Sequence, residues 1–350
     1  MLAFLPPFRV QYLRGDYSMD EKIKISLPKS TLEVLKKDCI DFKITKANGQ
    51  ANMNAFVNTL IVNFYESFSA NEEELHQELK TALSIVPDYY REKVFFNVVK
   101  VFAKKGDRTD DKKDTATLSF KPTKLSERAL LYVEHVLLQN ESLSSFYRRM
   151  FLSYTQKTKT EREKIIHKEN FSLLQKAIKQ GVRVCIQLQT GNLIKNVSVY
   201  SVSPAKDELF NYVLFYDNKH NVTVRLASVK SVSLLPAAAL IPDENKALFE
   251  RQIACAAQYP MYNTDDEPIK VQLTEKGKRL FEKIYLYRPT PVSIEGDIYT
   301  FDCSANQLLY YFERFGEHAL ILSPKKLGIF MRNYYHFALK KYKTLYNGNH

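Results

Sequence analysis

Residues 182–236 read VRVCIQLQTGNLIKNVSVYSVSPAKDELFNYVLFYDNKHNVTVRLASVKSVSLLP. Arg183–Leu188 alternates charged or polar residues with apolar ones, and Leu193–Val202 does so again. Phe210–Tyr216 is nearly all aromatic or apolar, and Val222–Leu226 and Val229–Leu235 close the segment. The runs are separated by Thr190-Gly191-Asn192, Pro204–Glu208 and Asp217–Asn221. Period-two patterning between such breaks predicts consecutive short strands. Five of them in so few residues cannot bury both faces of a flat sheet. Closure into a small barrel over 181–236 is therefore expected.

These strands resemble the WYL domain, a small Sm- or SH3-like β-barrel of bacterial regulators. Val182–Leu188 corresponds to its first strand and Lys195 lies in the second. Asn211-Tyr212-Val213 matches the strand that gives the family its name, and Arg225-Leu226 begins the closing motif. Two departures are plain: the chain has no tryptophan, and Ser228 stands where the closing motif has a second arginine.

Outward from the barrel the chain is too long for one core: 350 residues predict several domains. The 51 Lys+Arg against 39 Asp+Glu give a net charge of +12, which suits a polyanionic partner such as nucleic acid. Residues 1–20 read as an irregular leader. Lys22–Leu27 is an alternating strand ended by Pro28. Ser30 opens a helix with Leu32, Leu35, Cys39 and Phe42 in its apolar stripe, and Asn54 opens another with Phe56, Leu60, Ile61, Phe64, Tyr65 and Phe68. The order then repeats. Thr115–Phe120 is a strand followed by Pro122, and Leu125, Ala129, Val133 and Val136 mark a helix. Asn140 caps a last helix with Leu143, Phe146, Tyr147, Met150 and Tyr154. Each half resembles a ribbon-helix-helix DNA-binding unit. One strand alone leaves its backbone unpaired, so the two are expected to pair as a tandem pseudo-dimer over 21–157. Helical residues Glu72–Lys104 and the charged loop Lys105–Asp114 would separate them. The outward side chains are Lys22, Lys24 and Ser26 on one strand and the uncharged Thr115, Thr117 and Ser119 on the other. Lys22, Lys24 and Ser26 are the candidate DNA contacts.

Residues 158–180 read as a charged linker helix with Leu173, Leu174, Ala177 and Ile178 apolar. The basic cluster Lys157, Lys159, Arg162 and Lys164 at its start reads as a solvated face. Beyond the barrel, 237–350 alternates helices and strands: Asp243 to Tyr259, Ile269–Leu273, Glu275–Leu286, Asp297–Cys303, Asn306–Phe315, Ala319–Leu322 and Lys325–Tyr342. This order predicts a ferredoxin-like α+β layer. The whole chain is thus expected to be an α+β multidomain protein.

No phosphate-cradling glycine motif, no metal-binding His or Cys spacing and no catalytic constellation is present in the sequence. No enzyme, metal or cofactor is expected. Cys39, Cys185, Cys255 and Cys303 are far apart and read as small hydrophobes of a reducing compartment. Neither a signal peptide nor a membrane-spanning run is evident, and a cytoplasmic location with no membrane partner is expected. What stands out is aromatic and basic residues sharing short strands. Arg183, Lys195, Tyr200, Tyr212, Arg225 and Lys230 are the candidate nucleic-acid contacts, stacking bases and following phosphates. About half of the barrel's rings must face inward by alternation, whereas Arg183, Lys195 and Arg225 read as having no core role.

The C-terminal third carries a closer resemblance. Val271-Gln272-Leu273-Thr274-Glu275-Lys276-Gly277, Tyr287-Arg288-Pro289, Tyr310-Tyr311-Phe312 and Phe315-Gly316 running into Ile321-Leu322-Ser323-Pro324 are similar to the WYL accessory proteins encoded beside type VI-D CRISPR effectors. That resemblance implies a homodimer formed through the C-terminal domain. It also implies binding of single-stranded RNA and stimulation of an RNA-guided ribonuclease. The alternative is a DNA-binding transcriptional repressor acting through the ribbon, with the barrel as ligand sensor.

Overall fold

A computed structural model describes residues 22–87, 89–91, 93–94, 97–98, 114–138, 142–207, 209–262 and 267–347. The expected leader, the Asn140 cap and most of the Lys105–Asp114 loop lie outside the described residues, as does part of Glu72–Lys104. The chain is a mixed α+β protein with three small antiparallel sheets, arranged in two compact units. The described residues up to Cys39 together with Ile44–Ser153 form one; Ile40–Lys43 and the chain from Tyr154 onward form the other.

In the first unit, β1 (Ile23–Pro28) pairs antiparallel with β2 (Thr115–Phe120), setting Lys24 opposite Ser119 and Ser26 opposite Thr117. Ile25, Leu27, Leu118 and Phe120 turn inward and are buried, as the alternation required. Helices α1 (Lys29–Asp41) and α2 (Met53–Ala82) follow β1; α3 (Lys124–Tyr132) and α4 (Leu143–Gln156) follow β2. Asn52 caps α2 by accepting a hydrogen bond from the Ala55 N–H at 3.1 Å. Each long helix also holds the strand ending of the other half. The Asn58 side chain of α2 donates to the Lys121 carbonyl at 3.0 Å, and Arg148 of α4 donates to the Ser26 carbonyl at 2.8 Å. Of the stripe expected on α3, Ala129 and Val133 are buried as expected and the other two are not. Leu125 and Val136 are exposed, while Ser126, Ala129, Leu130 and Val133 face inward. Val133–Leu137 is a wide π turn, which advances the helix face past the 3.6-residue period.

In the second unit the expected linker is two helices, α5 (Lys159–Ile166) and α6 (Lys168–Gln180), broken at His167 and ended by Gly181 at φ 61°. Leu174 and Ala177 of α6 are buried against the five-stranded sheet, so this segment is part of a core. That sheet contains β3 (Val182–Leu188), β4 (Leu193–Pro204), β5 (Asn211–Tyr216), β6 (Asn221–Arg225) and β7 (Val229–Ala238) in the order β6-β5-β4-β3-β7. All five expected strands are there. The ladder is not fully closed: β6 and β7 lie at its two ends and are joined by the short turn Leu226–Ser228. Val184, Ile186, Val197, Val213, Phe215, Leu226 and Val229 fill its interior.

Helix α7 (Asp243–Cys255) follows, and then β8 (Ile269–Leu273), α8 (Glu275–Lys283), β9 (Pro291–Glu295), β10 (Ile298–Phe301), α9 (Ala305–Phe312), β11 (Ala319–Ser323) and α10 (Lys325–Asn347). The strands are ordered β11-β8-β10-β9, each neighbour antiparallel. Strand β9, absent from the sequence reading, alternates Val292 and Ile294 with Ser293 and Glu295, and both apolar side chains are exposed. Phe281, Phe301, Leu308, Tyr311, Phe312 and Phe315 pack with Val271 and Leu273 as the core of this part. Among the described residues no helix is long and apolar enough to cross a membrane.

Candidate nucleic-acid interface

Arg225 ends β6 directly opposite Tyr212 of β5. Its guanidinium carbon lies 3.2 Å from the centre of the Phe210 ring, and Nη2 donates to the Asp41 carbonyl. Its Nε is 3.5 Å from a carboxylate oxygen of Glu163, an ion pair with no hydrogen bond, and Nε has no other hydrogen-bond partner in the protein. The Glu163 side chain is fully buried. It accepts from the Asn211 backbone N–H at 2.5 Å, the Asn211 amide at 2.9 Å and the Ala227 N–H at 3.3 Å. Burial pushes its carboxyl up from the ordinary value, while the Asn211 donors and the Arg225 charge pull the other way. Lys159 completes the cluster, paired with the Asp41 carboxylate and 4.3 Å from the Phe210 ring centre. Phe210 thus contacts two cations. Arg225 therefore has the structural role that its strand position concealed, and the reading that it had none is corrected.

The same cluster anchors residues 41–43. His167 Nε2 lies 3.1 Å from the Phe42 carbonyl, which fixes that nitrogen as the donor, and Lys43 Nζ donates to Ser228 Oγ at 2.8 Å. Ser228 thus receives a cation from a distant part of the sequence. Burial lowers the His167 pKa from 6.5 to about 4, so the ring is neutral at pH 7. In the unfolded chain the ring takes a proton below 6.5, while the folded form resists until about 4. Stability is therefore lost as pH falls through this window. Glu163 acts in the opposite sense, since a raised carboxyl pKa favours the folded state as pH falls. Between pH 7 and 4.5 the parent is expected to lose roughly 2 kcal/mol more stability than His167→Gln. Denaturant titrations at the two pH values would reveal this difference.

The other candidates are dispersed. Tyr200 of β4 stacks on Phe249 of α7, with centroids 4.9 Å apart, and its hydroxyl donates to Glu250 at 3.3 Å. Tyr212 packs in the same small cluster with Leu214, Phe249 and Ala257. The two tyrosines expected to stack bases are thus engaged within the protein, Tyr200 on Phe249 and Tyr212 in its cluster. Burial raises the Tyr212 pKa, and the Arg225 charge opposes the rise. Arg183 Nε donates to the Ala238 carbonyl at 3.0 Å. Lys195 and Lys230 are exposed. The β3–β7 register places Arg183 and Lys230 near opposite ends of that strand pair, some 15 Å apart by strand rise. On the separate ribbon Lys22 and Lys24 are exposed and Ser26 is half-buried. Of the six barrel candidates, the structure sets Arg225 opposite Tyr212 and places Tyr212 and Tyr200 in one small cluster.

Residues that sequence reading missed lie beside Arg225 and Tyr212. Tyr259 follows α7, Tyr287 precedes β9, and Tyr310 belongs to α9. Their ring centres are 6.3 Å (259–287), 6.2 Å (259–310) and 5.6 Å (287–310) apart. Tyr287 adopts φ 62°, a left-handed conformation costly for a bulky side chain. Asp207 accepts its N–H at 3.2 Å, and Lys206 donates to the Arg288 carbonyl at 3.2 Å and to Thr290 Oγ1 at 2.6 Å. The β4–β5 connection is thereby tied to the chain before β9. Three tyrosines from separate elements leave no periodic signal in sequence. Among the described residues no cluster of His, Cys, Asp and Glu could hold a metal ion.

No protein-family model matches the chain, and no curated protein matches its sequence. Its fold is similar to a solved structure described as the crystal structure of a CRISPR Cas-related protein. The TM-score is 0.61 at 18% identity, covering 92% of this chain and 94% of the other. A further match, the proteasome accessory factor B/C (PafBC) of Arthrobacter aurescens, has a TM-score of 0.22 and 16% identity over 62% of this chain and 35% of that one.

Proposed function

We propose that this protein is a non-catalytic accessory regulator that binds single-stranded RNA and stimulates an RNA-guided type VI-D CRISPR ribonuclease. The reading is carried by one observation above others: a fold shared over nearly the whole chain with a CRISPR Cas-related protein. The net charge of +12 and the exposed Lys195 and Lys230 supply the attraction for a phosphate backbone. Filter binding at moderate salt is expected to favour single-stranded RNA over duplex DNA. Equal affinity for the two would end the reading. Lys195→Ala and Lys230→Ala are expected to weaken binding alike for all RNA sequences, because phosphate contacts carry no sequence information. Adding the protein to a type VI-D effector reaction tests the stimulatory half, and an unchanged cleavage rate would reject it.

Helix α10 supports a homodimer formed through the C-terminal domain. Leu327, Met331 and Tyr335 pack on the core of this part. The stripe then continues through Ala338, Tyr342 and Leu345, all exposed, at the three- and four-residue spacing of a coiled-coil seam. Light scattering is expected to show a dimer for the parent and a monomer for a Tyr342→Glu, Leu345→Glu double variant.

A second reading, a DNA-binding repressor using tandem ribbon-helix-helix units, is favoured by the exposed Lys24 on the paired ribbon and Lys22 just before it. Footprinting on the protein's own promoter separates the two, since a protected operator would require it.

A further inference from the structure

We infer that Tyr310, braced by Tyr259 and Tyr287 and flanked by Arg314, is a stacking site for one unpaired nucleobase. This inference rests on the RNA-binding reading above and places one contact within it.

Two observations converge. Tyr310 is 44% exposed, so one side of a large ring faces solvent while Tyr259 and Tyr287 hold it at their edges. A ring already fixed by its neighbours loses little conformational freedom when a base stacks on it. Arg314 places its guanidinium carbon 5.5 Å from the Tyr310 ring centre, where it meets a base or the phosphate beside it. Stacking on a ring face reads no base edge, so the site is expected to tolerate sequence.

The experiment uses the full chain and short single-stranded RNAs carrying 2-aminopurine at successive positions. Stacking on Tyr310 is expected to quench one position strongly. Tyr310→Leu is expected to abolish that quenching and weaken binding by about 5- to 150-fold. Arg314→Gln is expected to weaken binding and lower the slope of log affinity against log salt by about one contact. Both side chains are on the surface of α9 or just beyond it, and the unfolding midpoint of each variant is measured alongside. A Tyr310→Leu protein with unchanged midpoint, affinity and quenching would overturn the stacking site while leaving RNA binding intact. A parent protein that binds no RNA would overturn both.

Discussion

Arg225→Ala is expected to destabilise the second unit by about 3–5 kcal/mol, the cost of leaving a buried charge without its partner. Glu163 is fully buried and would keep only the neutral donors of Asn211 and Ala227. The Asp41 carbonyl and one face of Phe210 would lose their cation as well. For a unit of this size the thermal midpoint should fall by roughly 10 °C. Glu163→Gln removes the other half, and the double variant Glu163→Gln, Arg225→Ala should recover part of the loss. A coupling of about 0.5–3 kcal/mol between the two sites is expected in that cycle. An Arg225→Ala midpoint equal to the parent's would show that the pair contributes nothing. The same geometry governs how RNA-binding data should be read: weaker binding by Arg225→Ala reports lost structure as much as a lost phosphate contact. The exposed Lys195 and Lys230 are the cleaner probes.

Gly277→Ala should cost about 3 kcal/mol, at the upper end for overpacking. A Cβ at Gly277 would stand 2.2 Å from the His318 carbonyl oxygen and 3.2 Å from its carbon. That carbonyl cannot yield freely, because it accepts the Thr274 N–H at 3.2 Å, immediately before α8. Thr274 also caps α8 by accepting from the Gly277 N–H at 3.1 Å. Glycine is required here for close approach, since its φ is not in the left-handed region. The substitution must therefore push α8 away from the start of β11, opening the core around Phe281. Circular dichroism melts of the two proteins decide the matter, and a midpoint within error of the parent would refute the close approach. Gly328→Ala offers a milder comparison, its added Cβ lying 2.9 Å from the Ile321 carbonyl oxygen.

Much of the architecture was legible because burial is written into local pattern. The alternation of Lys22–Leu27 and Thr115–Phe120 named both the inward side chains and the need for a partner strand, and the two strands pair in register. The five runs between 182 and 236 became five strands for the same reason. Where the pattern misled, a specific feature intervened. The π turn at Val133–Leu137 shifted a helix face, and the His167 break divided one expected helix into two. The candidate site was less legible. Tyr200 and Tyr212 were read as base-stacking residues, yet Tyr200 stacks on Phe249 of α7 and Tyr212 packs in the same cluster. Alternation tells which side chains share a face; it does not tell whether another element lies on it.

By itself, then, the sequence determined most strands, most helices and a strongly basic character, all set by side-chain period and composition over short windows. Tertiary structure alone decided that Asp41, Phe210 and Arg225 gather in one cluster with the buried Glu163, and that the rings of Tyr259, Tyr287 and Tyr310 meet. These residues are tens to hundreds of positions apart and obey no common period. Their chemistry arises from desolvation and proximity, which exist only after the chain has folded.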